Sequence, residues 1–294
     1  MMAKKTTKKP SIILGEDITL DDDLDVAHTK DEIDDMFSPK EEVTHEVHEV
    51  SMGDFESLLA DVDTSAKYLK MLLYGRNGTG KTHFVGTANK TLLLGPEDGT
   101  RTLKGKGFKG KFVHINTFDK FEQAYWYLAK EAALPASKRK FDTVAVDTLT
   151  RLVQVCLRHE VMEAQKRSVV DEAVISLTQR DYGNMTQRIF YWLGNMFALP
   201  YNFIILCQER TTTDDADMAE YQGFPDLPRA LRNLVLGDME IVGRLYVDRD
   251  AESKPRFRMT THPSDMYWTK DRTGSIGRKT NPNFEEILKI YRGV

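Results

Sequence analysis

The chain is poor in cysteine: 294 residues hold only Cys156 and Cys207, far apart and each in an apolar stretch. This excludes a disulfide-built scaffold, and a zinc site would need more ligands at closer spacing; two buried thiols in a reducing cytoplasm are expected. There is no run of about 18 apolar residues, so no membrane span is expected. Nor does an apolar segment follow the basic stretch Met1–Pro10, so no signal peptide is read there. Aromatic residues are scarce before residue 51, and no internal repeat is present.

Charge is abundant and segregated. Between Glu16 and Val50 stand 14 acidic residues against Lys30 and Lys40 alone, whereas residues after Val50 carry 35 basic and 31 acidic groups. The net charge of −4 therefore belongs to the first segment, and the body is mildly basic. Residues 1–50 are expected to be a disordered acidic tail, with a short helix near Asp31–Phe37. Two readings stand for it: a solubilising tail, or a lure for a basic partner that competes for the body's own basic surface.

Residues 51–294 alternate apolar runs with helical patterns. Strands are expected at Tyr68–Tyr74, Thr91–Leu94, Phe112–Ile115, Phe141–Val146 and Phe203–Cys207. Helices are expected from about Lys81, over Lys120–Ala132, and in Leu149–Lys166 and Gln179–Phe197. Continuous apolar strands separated by helices indicate an α/β fold, a mostly parallel sheet flanked by helices. Later strand-like segments, Glu240–Val247, Arg256–Thr261 and Met266–Thr269, would add antiparallel strands toward the C-terminus.

Gly75-Arg76-Asn77-Gly78-Thr79-Gly80-Lys81-Thr82 completes a phosphate-binding loop between a strand and a helix. Glycines let the backbone turn its N–H groups inward, and the helix start adds positive potential. The Lys81 ammonium suits β- and γ-phosphates, and the Thr82 hydroxyl suits Mg²⁺. Asp147 ends the apolar strand from Phe141, as a carboxylate that holds Mg²⁺ through water does. Capping the following helix is the other role open to it, although Thr148 can do that. No Asn-Lys-x-Asp base-reading motif is present, so the nucleotide is read as ATP, or the site tolerates other bases.

The order of three further segments carries a resemblance: Leu94-Gly95-Pro96-Glu97-Asp98-Gly99-Thr100, then Leu206-Cys207-Gln208-Glu209-Arg210, then Trp268-Thr269-Lys270-Asp271-Arg272-Thr273-Gly274. The series resembles the RecA-like recombination ATPases. It looks most like the small phage proteins that keep only the RecA core and assist single-strand annealing, the AAA-type phage nucleotide-binding proteins. The resemblance spans roughly Ser65–Tyr291.

It implies that Glu97 orients the attacking water, with Asp98 as a competitor because one residue is extra before the glycine. It implies that Gln208 senses the γ-phosphate, and that Lys270 and Arg272 reach a neighbouring subunit's site. The function so implied is a DNA-stimulated ATPase acting in recombination and repair. Its partners would be single-stranded DNA, further copies of itself in a filament or ring, and a single-strand-binding protein.

The expected DNA loops are Gln165–Tyr182 and Arg210–Arg229. The second offers Thr211, Thr212, Thr213, Tyr221 and Phe224, but also Asp214, Asp215, Asp217 and Glu220, which repel phosphates. Two basic clusters, one from Arg101 to Lys111 and one at Lys138, Arg139 and Lys140, suit either phosphate tracking or a solvated surface. Trp126 and Trp192 are expected in the core. A P-loop kinase would need an arginine-rich lid, which is not evident, and an ATP-switched adaptor for helicase loading or packaging is the remaining alternative.

Overall fold

The computed structural model describes residues 68–293 apart from 98–99, 105–106, 168–176, 212–222, 265 and 278. The chain divides into two units, Met1–Asp61 and Val62–Val294, and the described residues all lie in the second. The acidic tail and the helix near Asp31–Phe37 lie outside them, as do Asp98 and most of the loop after Thr211.

Among the described residues the strands are β1 (Lys70–Gly75), β2 (Thr91–Gly95), β3 (Gly110–His114), β4 (Thr143–Asp147), β5 (Asn202–Thr211), β6 (Gly223–Pro225), β7 (Ile241–Arg249), β8 (Pro255–Thr260) and β9 (Lys270–Asp271). The helices are α1 (Lys81–Val85), α2 (Phe118–Ala132), α3 (Leu149–Arg167), α4 (Gln179–Phe197), α5 (Arg229–Asp238) and α6 (Phe284–Arg292). They build an α/β fold with the strand order β3-β2-β4-β5-β1-β7-β8. The strands from β3 to β7 pair in parallel, and β8 and β9 pair antiparallel with β7. The short β6 returns antiparallel along β5.

Strands buried on both faces explain the unbroken apolar runs. In β1, Leu72 and Tyr74 enter a core shared with α2, α3, α4 and α5, while Met71 and Leu73 enter a second core shared with α1 and α6. Two α4 features match its sequence closely. Thr178 and Asp181 form a reciprocal capping box at its start, and its buried residues Met185, Ile189, Leu193 and Met196 recur every three to four positions.

Helix α6, not expected from the sequence, holds the back of α1. Asn283 caps it by accepting from the Glu286 N–H, and Phe284 meets Phe84 edge-on with 6.1 Å between ring centroids. The Phe284 N–H also donates to Thr87 Oγ1 at 2.7 Å. The phosphate loop is thus clamped from behind by the last helix. Helix α1 starts at Lys81, as expected, and has five residues. Its contribution to the loop is its first-turn amides rather than a long summed dipole.

Phe284→Ala should remove a fully buried ring and cost about 3–5 kcal/mol. In urea unfolding this would appear as a lower midpoint with an unchanged slope; an unmoved midpoint would show that α6 does not clamp α1.

Candidate functional site

The carboxyl ends of β1, β2, β4 and β5 converge at one edge of the sheet, where parallel α/β folds bind ligands. The loop from Gly75 to Thr82 leaves β1 there. At Gly75 a Cβ would meet Leu245 O at 2.5 Å and Thr79 Oγ1 at 2.6 Å, so only glycine fits. Gly78 and Gly80 have φ of 80° and 86°, a region that disfavours other residues. Nothing lies within 4 Å of a Cβ on Gly78, which leaves its backbone open to a ligand. Arg76, Asn77 and Gly78 form the exposed tip.

Lys81 folds back under this loop and is 8% exposed. Its Nζ donates to Gly75 O at 2.7 Å, Arg76 O at 2.9 Å and Gln208 Oε1 at 3.2 Å. Burial lowers its pKa, against the opposing pull of Asp147. Thr82 Oγ1 donates to Asp147 Oδ2 at 2.6 Å. Burial raises the Asp147 pKa, and the Thr82 hydrogen bond and Lys81 counter it only in part.

A hydroxyl and a carboxylate so placed fit Mg²⁺, the hydroxyl binding directly and the carboxylate through water. Among the described residues no cluster of three or more acidic, histidine or cysteine side chains could hold a metal. An ion at Thr82 and Asp147 would therefore take its other ligands from water and phosphate, which is how Mg²⁺ prefers to bind.

Glu97, just beyond β2, is half-exposed and ion-paired with Arg151 on the first turn of α3. It lies near enough to raise the pKa of both Lys81 and Asp147. Gln208 sits beside Gly75 in the β1–β5 register, and its N–H donates to Thr150 Oγ1 at 3.0 Å. Lys81, Thr82, Asp147, Glu97 and Gln208 are thus brought together.

Lys270 and Arg272 are not. Lys270 pairs with Val242 at the far end of β7 from the phosphate loop. Its Nζ donates to Leu236 O at 3.0 Å and Gly237 O at 3.3 Å, and Arg272 donates to Gly237 O at 3.1 Å. Both side chains therefore satisfy the C-terminal carbonyls of α5.

Two further expectations, for Trp126 and Phe224, are corrected. Trp126 is 63% exposed rather than core, because the buried stripe of α2 runs through Phe121, Ala124 and Leu128. Trp192 packs against the core as expected, partly buried and in edge-on contact with Trp126 and Tyr125. Phe224 is fully buried beneath the Arg232 guanidinium, 4.5 Å from its ring centre, and cannot stack on bases. In the basic cluster before β4, Arg139 is spent on the backbone carbonyls of Ala132, Leu134 and Pro200. Both cysteines are buried, and burial pushes each thiol up.

The sequence reading missed Arg151, Thr150 and one ion pair. Glu209 is enclosed and bonded to Arg244 Nε at 2.7 Å, with the Arg244 guanidinium 4.0 Å above the Tyr267 ring centre.

A strand-loop-helix phosphate cradle with a carboxylate on the second strand over defines a P-loop nucleoside-triphosphatase domain. Residues 67–273 match the family model described as an AAA domain, and the chain belongs to that family. No curated protein matches the sequence. Among solved structures, the flagellar accessory protein FlaH from Methanocaldococcus jannaschii is 9% identical, with a TM-score of 0.34 over 72% of this chain and 83% of that one. The KaiC-like protein PH0186 from Pyrococcus horikoshii OT3 is 11% identical, with a TM-score of 0.36 over 65% and 78%. Likeness at that level carries nothing about function. No helix among the described residues is long and apolar enough to cross a membrane.

The raised Asp147 pKa has a stability consequence. Its ionised form is disfavoured in the fold, so stability is lost as pH rises from the unfolded carboxylate range through the folded pKa. Asp147→Asn should raise the Tm at pH 7 and lose that advantage below about pH 4, where both states are protonated. Thermal scans at the two pH values test this; a lower Tm at pH 7 would mean that the Lys81 and Thr82 contacts outweigh burial.

Proposed function

We propose that this domain hydrolyses ATP·Mg²⁺ and uses the cycle to grip and release single-stranded DNA as part of an oligomer. The observation that carries the reading is the contact of Gln208 with Lys81, four residues before the segment 212–222 that joins β5 to β6. A side chain at the phosphate site therefore begins the stretch expected to meet DNA. The net charge of residues 51–294 favours a polyanion as well.

Lys81 and the loop amides bind the β- and γ-phosphates, and Thr82 and Asp147 hold the metal. When bound, Mg²⁺ neutralises charge that develops on the phosphate oxygens. Glu97 orients the attacking water. The Gln208 amide accepts from Lys81 through Oε1, leaving its NH₂ to donate to a γ-phosphate oxygen, a bond that ends with hydrolysis.

Lys270 and Arg272 act on a neighbour's phosphates after leaving the α5 carbonyls. A cation supplied in this way raises turnover by roughly 10³–10⁵. A recombination or repair role in a phage setting, with a single-strand-binding protein as helper, rests on the resemblance in sequence alone.

The pairing of Glu97 with Arg151 supports a second reading. A carboxylate held by an arginine is less available to orient water, and such a domain would serve as an ATP-switched adaptor with slow turnover.

Phosphate release from ATP, measured with and without single-stranded DNA, separates the two. DNA should stimulate release strongly, and Lys81→Ala should abolish it; release indifferent to DNA would leave the adaptor reading. Arg272→Ala should lose the DNA-stimulated rate, by 10³-fold or more, yet still bind ATP. Wild-type turnover in that variant would reject the role in trans.

A further inference from the structure

The groups that suit phosphate and metal all lie to one side of β1. Gln208 is on β5, Asp147 ends β4 and Glu97 follows β2, and these strands succeed one another on that side. On the other side stand β7 and β8, and what they present to the phosphate loop is apolar.

Phe257 on β8 lies two residues before Met259, so both project from the same face of the strand. Met259 is buried in the core that contains Phe84 and Val85 of α1, which fixes that face as the one carrying the loop and its helix. Phe257 lies farther toward the loop. Its ring atoms come to 3.1 Å from where a Cβ on Gly80 would stand, and its centroid is 5.8 Å from that of His83, with the planes tilted by 37°. Even so, Phe257 is 39% exposed. Val247, its cross-strand partner in the β7–β8 register, is 43% exposed. The neighbouring Arg256 and Arg258 project to the opposite face, by the alternation of the strand, and bond Asp250 and Asn281.

An uncharged shelf of one aromatic and one branched side chain thus flanks the phosphate cradle, opposite its metal-binding side. A nucleoside triphosphate has the same polarity, with phosphates and metal at one end and a flat aromatic base at the other.

We infer that Phe257 is the platform on which the base of the nucleotide stacks, with His83 and Val247 beside it. Holding the base by ring contact rather than by hydrogen bonds accounts for the lack of a base-reading motif in the sequence. The inference rests on the phosphate loop being a nucleotide site, and it adds the residue that separates a nucleotide from a bare polyphosphate.

The test is calorimetric titration of the full chain, with magnesium, using a non-hydrolysable ATP analogue and inorganic tripolyphosphate. Phe257→Ala should weaken the analogue about tenfold, the loss of one base–aromatic stack, and leave tripolyphosphate unchanged. Phe257→Tyr keeps the ring and should restore the analogue's affinity. Unchanged binding of both ligands by Phe257→Ala would overturn the platform. Equal weakening of both would also overturn it, by showing that the ring only props Gly80. If the wild-type chain binds neither ligand, the nucleotide site itself is wrong; binding of both by wild type and of neither by Lys81→Ala upholds the site whatever Phe257 does.

Discussion

A buried ammonium governs this site. Taking a lysine head out of water is costly unless acceptors converge on it, and Lys81 finds three: two carbonyls of its own loop and the amide of Gln208. Each acceptor constrains something else. The carbonyls of Gly75 and Arg76 point inward only if the loop takes its tight path, which requires glycine at 75, 78 and 80. The amide requires Gln208 of β5 to lie level with Gly75, the last residue of β1, a register set by the parallel ladder from Lys70–Phe203 to Gly75–Gln208. Lys81 and Asp147 are of opposite charge, yet burial pushes both toward their neutral forms. An anionic phosphate with a divalent cation relieves both at once, which is why a site strained in this way binds that pair of ligands.

The sheet sustains the register beyond the end of β1. There β5 and β7 both continue, and the Glu209–Arg244 ion pair joins them. Tyr74, the residue before Gly75, donates its hydroxyl to Gly223 O at 3.3 Å and so ties β6 to the same corner. Removing one partner of an enclosed pair leaves the other charge unmatched, so this corner resists local change. Thr150 adds a further tie, accepting from the Gln208 N–H and donating to Asp226 O at 3.0 Å, which links α3 to β5 and to the residue after β6.

Elements with a continuous signal could be read from the sequence. The phosphate loop is eight adjacent residues, and Asp147 and Gln208 each close an apolar strand, so position along the chain placed them. Arg151, Thr150, Arg244 and Phe257 carry no such mark; each matters through a partner at least 35 positions away, which pairing across the fold alone creates. Helix α6 did leave a signal, Asn283 followed by Glu286 before Ile287 and Leu288, the pattern of a capped amphipathic helix. Trp126 misled because its sequence neighbours are apolar, whereas exposure in a helix follows the 3.6-residue period. Lys270 and Arg272 were legible as a pair, but a sequence does not say which end of the sheet a late strand joins.

That last placement has a geometric consequence. Lys270 pairs with Val242, which pairs with Leu72, so it lies three residues short of Gly75 and two strands over. By strand spacing this is on the order of 14 Å between backbones, with the side chain already turned to α5. A basic pair so distant from its own phosphate loop can serve a phosphate only on another copy. Donor and acceptor surfaces would then differ, making the contact heterologous: each subunit gives its basic pair to one neighbour and receives one from the next. A two-fold dimer can exchange such groups only if both surfaces share one face. The opposite ends of β7 separate them, so a ring or an open filament is the assembly consistent with a role in trans.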